Sequence, residues 1–277
     1  MKDKSLGKEL KYRQKFLDSV IGNMSKKIDV WVKNIGNSDL VTLQEANKDL
    51  CDRLEKENYI CDCTNSGLCT AYRKDKLQKI SSFNVDDIVK TLKDAGQAQK
   101  DFKWENTLQG RVSIDVYKNL STDKRFISTN LHADSKGKYT QQVLESILEF
   151  VRLKKELKGL DIFINGDFNS GPRETHKKGK KADTKACFGL LTNAGLKSVF
   201  ESSDYINKLR RDDTTHKTRS HGWLQFQVDK GGDEAFGVSD ACFGGQNVEI
   251  LKKDIHPYFK NGSDHASHRY EAKINKK

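Results

Sequence analysis

Asp161-Ile162-Phe163-Ile164-Asn165-Gly166-Asp167-Phe168-Asn169-Ser170 is the stretch on which the reading of this chain turns. β-Branched and aromatic residues run through an asparagine into a glycine, then into a carboxylate and an amide two positions apart. The pattern predicts a buried strand that stops abruptly, with Asp167 and Asn169 at its C-terminal end. Side chains at i and i+2 of an extended segment point the same way, so the carboxylate and the amide can address one object. A carboxylate is a base or a hard oxygen ligand, and an amide both donates and accepts. Together they suit a metal-bound phosphate. Gly-Asp turns after buried strands also occur for purely structural reasons, so the rest of the chain has to decide.

Upstream, Val112 to Tyr117 alternates with period two, as a half-buried strand does, and Arg125 to His132 reads as its hairpin partner. Between His132 and Asp161, the residues Val143, Leu144, Ile147, Leu148, Val151 and Leu157 mark one face of an amphipathic helix. Helical periodicity also covers residues 9–33. The apolar strand Leu40-Val41-Thr42-Leu43 follows, ending in Gln44-Glu45, with a short helix at 47–56 and strands near 58–63 and 67–73. Residues 75–110 read as a polar excursion with one helix around Val85 to Lys93. Downstream come a basic loop (Lys177, Lys178, Lys180, Lys181), a helix near 182–193, and strands at 223–228, 235–243, 247–252 and 267–274. No repeat or boundary divides the chain, so one domain over residues 1–277 is expected. Strands alternating with helices, with hairpins mixed in, predict the α/β class: two mixed sheets with helices outside.

The 277 residues carry 50 Lys+Arg against 39 Asp+Glu, a net charge of +11. That balance favours a polyanionic partner, nucleic acid or another phosphorylated molecule, although the lysines are spread along the whole chain. No apolar run approaches the ~18 residues of a membrane span. The polar start Met1 to Lys8 leads into no signal-peptide core, so a cytoplasmic or nuclear monomer is expected as the chain stands. Four of the six cysteines (Cys51, Cys61, Cys63 and Cys69) fall close together. They lack paired C-x-x-C knuckles, and the reading is reduced, partly buried thiols rather than a zinc site.

Polar residues collect at strand ends. Glu45 closes the first apolar strand, as either a helix-start residue or a divalent-metal ligand. His132 closes another. Asp240 lies in the run Phe236 to Phe243, awkward for a charge unless it is paired. Asp264 and His265 join a carboxylate to an imidazole just before the last strand.

Leu43-Gln44-Glu45, Asn130-Leu131-His132, Gly166-Asp167-Phe168-Asn169, Ser239-Asp240 and Ser263-Asp264-His265 follow one another as in the endonuclease/exonuclease/phosphatase superfamily. The chain resembles that family across residues 40–272. The resemblance implies a four-layered α/β sandwich and a Mg²⁺-dependent phosphoric ester hydrolase, with Mn²⁺ as an alternative ion. It implies that Glu45 and Asp264 hold the metal. Asp167 would orient or deprotonate the attacking water, and Asn169 would hold a phosphate oxygen. His132 would donate to the scissile phosphate, and His265 would act with Asp240 or an equivalent carboxylate as the acid/base pair, or would stabilise the charged phosphate. Arg111 matches a phosphate-contacting position in the nuclease branch.

The family opens with a strand before its first helix. None is legible here, and Asn34 is eleven residues from Glu45, too close for a parallel crossover. An N-terminally truncated or degenerate chain is therefore expected. The 5-phosphatase signatures are absent, and the Lys177 and Lys178 loop directly after the Asp167 strand suits a phosphate backbone. A nuclease acting on DNA or RNA is the first reading. A lipid or inositol phosphohydrolase on the same fold is the second, and a catalytically impaired nucleic-acid-binding protein the third.

Overall fold

Arg125–His132 (β6) and Asp161–Asp167 (β7) run side by side and parallel at the centre of a six-stranded sheet, in the order β4-β5-β6-β7-β9-β8. Its other strands are Leu77–Phe83 (β4), Val112–Asn119 (β5), Lys197–Ser198 (β8) and Asp240–Gly244 (β9), each paired antiparallel. The crossover from β6 to β7 is the helix Thr140–Leu153 (α4), the connection that parallel strands require. These details come from a computed structural model that describes residues 24–97, 109–134, 139–169, 184–200, 240–256 and 267–275.

The facing layer holds Leu40–Leu43 (β1), Tyr59–Cys63 (β2) and Cys69–Arg73 (β3) in the order β1-β3-β2, and Val248–His256 (β10) paired with Ser267–Ile274 (β11). Both pieces are antiparallel, so β6–β7 is the one parallel pair among the described residues. No strand precedes the helix Met24–Ile35 (α1) among those residues.

Alternation along β6 and β7 builds the layers. Ile127, Leu131, Ile162 and Ile164 project to one side and pack with Val85–Asp94 (α3), α4 and Thr184–Asn193 (α5), through Ile88, Leu144, Ile147, Phe150 and Leu191. Phe126 and Phe163 project to the other side, where they meet Tyr117, Val248 and Tyr270. Phe126 and Phe163 stand edge to face at 5.6 Å, a favourable aromatic geometry. On the outer face of β1-β3-β2, Ile28 of α1 and Leu50 and Leu54 of Lys48–Lys56 (α2) cover Tyr59 and Ala71. Helices, sheet, sheet and helices make the four-layered sandwich expected from the sequence.

β4 is an element that the sequence reading placed in a polar excursion. Its hydrophobic pattern is inverted: Ile80 is exposed, while Lys79 is only partly exposed. Lys79 reaches Asp62 at 2.8 Å and the buried Asp115 at 3.2 Å, and Ser82 donates to Asp115 at 2.6 Å. A register shift between Lys79 and Ser81 further breaks the alternation. Leu77 and Phe83 anchor the two ends of the strand in the cores, and between them ion pairing replaces apolar periodicity.

Cys63 and Cys69 form a disulfide, where reduced thiols were expected. The physical reason is the β2–β3 register, which sets the two residues directly opposite with Cα atoms 4.0 Å apart. Cys51, Cys61, Cys187 and Cys242 are free.

Candidate active site

The parallel register sets His132 opposite Asp167, and the β7–β9 register sets Asp167 opposite Asp240. Three strand ends thus bring three predicted site residues into one row; of Asp240 the structure describes the backbone. His132 and Asp167 lie two residues beyond Asn130 and Asn165, so all four belong to the face that meets the second layer. The two asparagines, register partners themselves, clasp that layer. Asn130 Nδ2 donates to the Cys69 carbonyl (2.9 Å) on β3, and Tyr270 Oη on β11 donates to Asn165 Oδ1 (2.9 Å).

Gly166 makes the close approach of β6 and β7 possible at this end. A Cβ there would stand 1.9 Å from the Leu131 carbonyl oxygen, and its φ of 142° is one that side-chain-bearing residues avoid. The chain then turns sharply. Asn169 adopts φ 45°, which lets its backbone N–H donate to Asp167 Oδ1 (2.8 Å) and its Nδ2 donate to Asp167 Oδ2 (3.0 Å). The same Nδ2 also donates to the Ala133 carbonyl (2.9 Å). Both amide hydrogens of Asn169 are therefore committed, and the residue locks the buried Asp167 carboxylate. Arg111 approaches the same carbonyl, with Nη1 3.5 Å from Ala133 O, and its own carbonyl accepts the His132 N–H (2.8 Å). This brings the predicted arginine to the edge of the row.

Glu45 comes from the other layer. Its Oε1 lies 3.8 Å from His132 Nε2, which is 3.9 Å from Asp167 Oδ2, so the imidazole stands between two carboxylates. The Glu45 side chain is 81% exposed and that of Asp167 only 6%. One faces solvent and the other is held within the protein.

Glu45 has φ 56°, and the hairpin turn between β2 and β3 supports it. The Ala46 N–H donates to the Gly67 carbonyl (2.8 Å), and a Cβ on Gly67 would meet the Glu45 backbone at 3.2 Å. The Thr64 and Ser66 hydroxyls of that turn donate to the Gly110 carbonyl, directly before Arg111. One hairpin therefore buttresses both Glu45 and Arg111.

Gln44 and Asn130 belong to the quoted motifs, but no task had been assigned to them. Gln44 Nε2 donates to Asn130 Oδ1 at 2.6 Å, while Asn130 Nδ2 also lies 3.3 Å from the Leu43 carbonyl. Asn130 is 1% exposed. It joins the β1 end carrying Glu45 to the β6 end carrying His132. The sequence signal was a polar residue two positions before a strand-end histidine, on the inward face. Asp264, His265, Lys177 and Lys178 lie outside the described residues.

A solvent-facing carboxylate on a braced backbone is the kind of oxygen donor that a hard divalent cation takes. A locked carboxylate, an imidazole N–H and a guanidinium beside it fit an anionic substrate.

No protein-family model and no curated protein matches this sequence. Solved structures do match its fold. The TDP2 protein of D. rerio, crystallised with a single-stranded DNA product, aligns over 91% of this chain and 93% of its own at 14% identity, with a TM-score of 0.56. An endonuclease/exonuclease/phosphatase from Bacteroides vulgatus aligns over 90% of each chain at 16% identity and a TM-score of 0.55. The human Nocturnin catalytic domain with a bound sulfate anion aligns over 90% of this chain and 88% of its own, at 11% identity and a TM-score of 0.54. At 11–16% identity these matches show a shared fold: the chain folds as these structures do. No helix among the described residues is long and apolar enough to cross a membrane.

Proposed function

We propose that this chain is a phosphoric ester hydrolase, and within that class a divalent-metal-dependent phosphodiesterase that cuts nucleic acid. The observation that carries the reading is the convergence of Glu45, His132 and Asp167 from two sheets, with His132 Nε2 within 4 Å of both carboxylates. Phosphodiester hydrolysis requires an activated water, neutralised non-bridging oxygens and help for the leaving alkoxide.

Asp167 is the acceptor for the water proton, aimed by its two hydrogen bonds from Asn169. His132 donates to a non-bridging oxygen, and Arg111 contacts the phosphate from the side. Asp240 and His265 act as the acid/base pair on the leaving group. Glu45, with Asp264, would hold Mg²⁺ or Mn²⁺, and the ion would supply charge neutralisation at the phosphate. Nucleic acid as substrate is favoured by the net charge of +11 and by the fold neighbour crystallised with single-stranded DNA product. Lys177 and Lys178 would track the backbone.

A substrate panel tests this. Labelled single- and double-stranded oligonucleotides, sphingomyelin and an inositol polyphosphate are each incubated with Mg²⁺, and again with EDTA. EDTA-sensitive cleavage of an oligonucleotide is expected. Turnover of the lipid or inositol ester alone would move the assignment to the phosphohydrolase reading. DNA binding that depends on Lys177 and Lys178, with no turnover of any ester, would make the chain a non-catalytic binder.

A further inference from the structure

Away from the carboxylates, four cysteines meet beneath the hairpin that braces Glu45. Cys61 and Cys63 lie two apart on β2 and share a face, Cys69 opposes Cys63 from β3, and Cys51 comes from α2. The Cys51 Sγ is 2.9 Å from Cys63 Sγ and 3.5 Å from Cys69 Sγ. Cys61 completes the group by hydrogen bonding with Cys51. A disulfide uses two sulfurs; here a third sits against both of them, with a fourth beside it.

Two chemistries could use such a third sulfur. Thiol–disulfide exchange needs the attacking sulfur beyond one end of the S–S bond, in line with it. Cys51 instead stands broadside, close to both sulfurs. Broadside placement is what a common ligand requires. Four thiolates about 2.3 Å from one zinc ion stand about 3.8 Å apart. The sulfurs of Cys51, Cys63 and Cys69 already lie within 4.8 Å of one another. Side-chain rotations open the triangle around an ion, and Cys61, which hydrogen bonds to the Cys51 carbonyl at 3.7 Å, is placed to be the fourth ligand.

We propose that the reduced protein binds one soft divalent metal ion, of the zinc class, through Cys51, Cys63, Cys69 and Cys61. Two molecules of a small thiol reduce the Cys63–Cys69 disulfide and leave as their own disulfide, so two electrons and two protons pass to Cys63 and Cys69. Metal binding then displaces the thiol protons to solvent. The site is separate from the oxygen-ligand cleft in chemistry, and the proposal does not depend on the hydrolase reading. It braces the same elements: residues 64–68 span Cys63 and Cys69, Gly67 supports Ala46, and the Cys69 carbonyl accepts from Asn130.

The test uses the full chain, reduced with a small thiol, loaded with Zn²⁺ or Co²⁺ and desalted. One equivalent of zinc by mass spectrometry is expected, with the cobalt form showing thiolate-to-metal charge-transfer absorption that oxygen ligands do not give. Free zinc at about 100 times its Kd should raise the thermal midpoint by about 5–10 °C. Cys51→Ser, Cys63→Ser and Cys69→Ser should each abolish retention. Cys61→Ser should weaken it at least tenfold while leaving a three-thiolate cobalt spectrum. The wild-type cobalt spectrum stands as a readout even where a serine variant fails to fold. Less than 0.1 equivalent of metal in protein whose Cys63 and Cys69 are shown by thiol titration to be reduced overturns the proposal. So does a Cys51–Cys63 disulfide recovered by peptide mapping, which would make the cluster an exchange site.

Discussion

Replacing Asn130 by alanine cuts the strut between the two layers of the site and removes none of the proposed catalytic side chains. The side chain is buried and makes two well-formed hydrogen bonds, from Nδ2 to the Cys69 carbonyl at 2.9 Å and to Oδ1 from Gln44 at 2.6 Å. Gln44 is only partly buried, so water can replace its lost acceptor at little cost. The contact from Nδ2 to Cys69 is buried, and an orphaned buried polar group costs about 1–3 kcal/mol. Adding the small cavity gives an expected loss of about 2–3 kcal/mol in urea unfolding followed by intrinsic tryptophan fluorescence. Asn130→Asp should be worse than alanine, because it sets a carboxylate against the Cys69 and Leu43 carbonyls. In turnover, kcat should fall more than KM rises, since Glu45 loses its register with His132. A loss below about 0.5 kcal/mol, or an aspartate variant more stable than the alanine one, would refute the strut.

Gly166→Ala should cost about 3 kcal/mol or more, or leave the protein insoluble, because the new methyl would stand 1.9 Å from the Leu131 carbonyl; a wild-type melting curve would count against the β6–β7 geometry. Lys79→Met should lower stability at neutral pH by leaving buried Asp115 without its cation. Its partners Asp62 and Asp115 raise the Lys79 pKa above the ordinary lysine value, against the desolvation that lowers it. Wild-type stability from this group is thus present below the unfolded lysine pKa and is lost as pH climbs through the raised folded value. The variant should lack that alkaline loss in pH-dependent denaturation. Glu45→Gln should raise the Mg²⁺ concentration for half-maximal hydrolysis at least tenfold with little change in the melting curve; an unchanged metal titration would remove Glu45 from the ion's ligands.

Much of this site was legible because the two central strands that build it each end in a functional residue, His132 and Asp167. The apolar run Ile162 to Ile164 followed by Gly166 announced both the strand and its abrupt end, and Arg125 to His132 was bounded without error. β4 was not legible, because Lys79 is seated by two carboxylates that lie far off in sequence. The hydrogen bonds of Asn169 were hidden for a similar reason. Its amide hydrogens are taken by Asp167 and by Ala133, and only the fold brings Ala133 close. The disulfide depended on strand register, which cysteine spacing alone does not give. The bracing of Arg111 by the hairpin that also supports Glu45 likewise rests on contacts between residues some 45 positions apart.

The most direct test of the account is the single-turnover hydrolysis rate of a labelled oligonucleotide with Mg²⁺, measured for the wild type, His132→Ala and Asp167→Asn. Circular dichroism melts on the same samples report whether the fold is kept. The account predicts metal-dependent cleavage by the wild type and a loss of about 10²–10⁴-fold in each variant at near-wild-type melting temperature. Folded variants that cleave as fast as the wild type would contradict it.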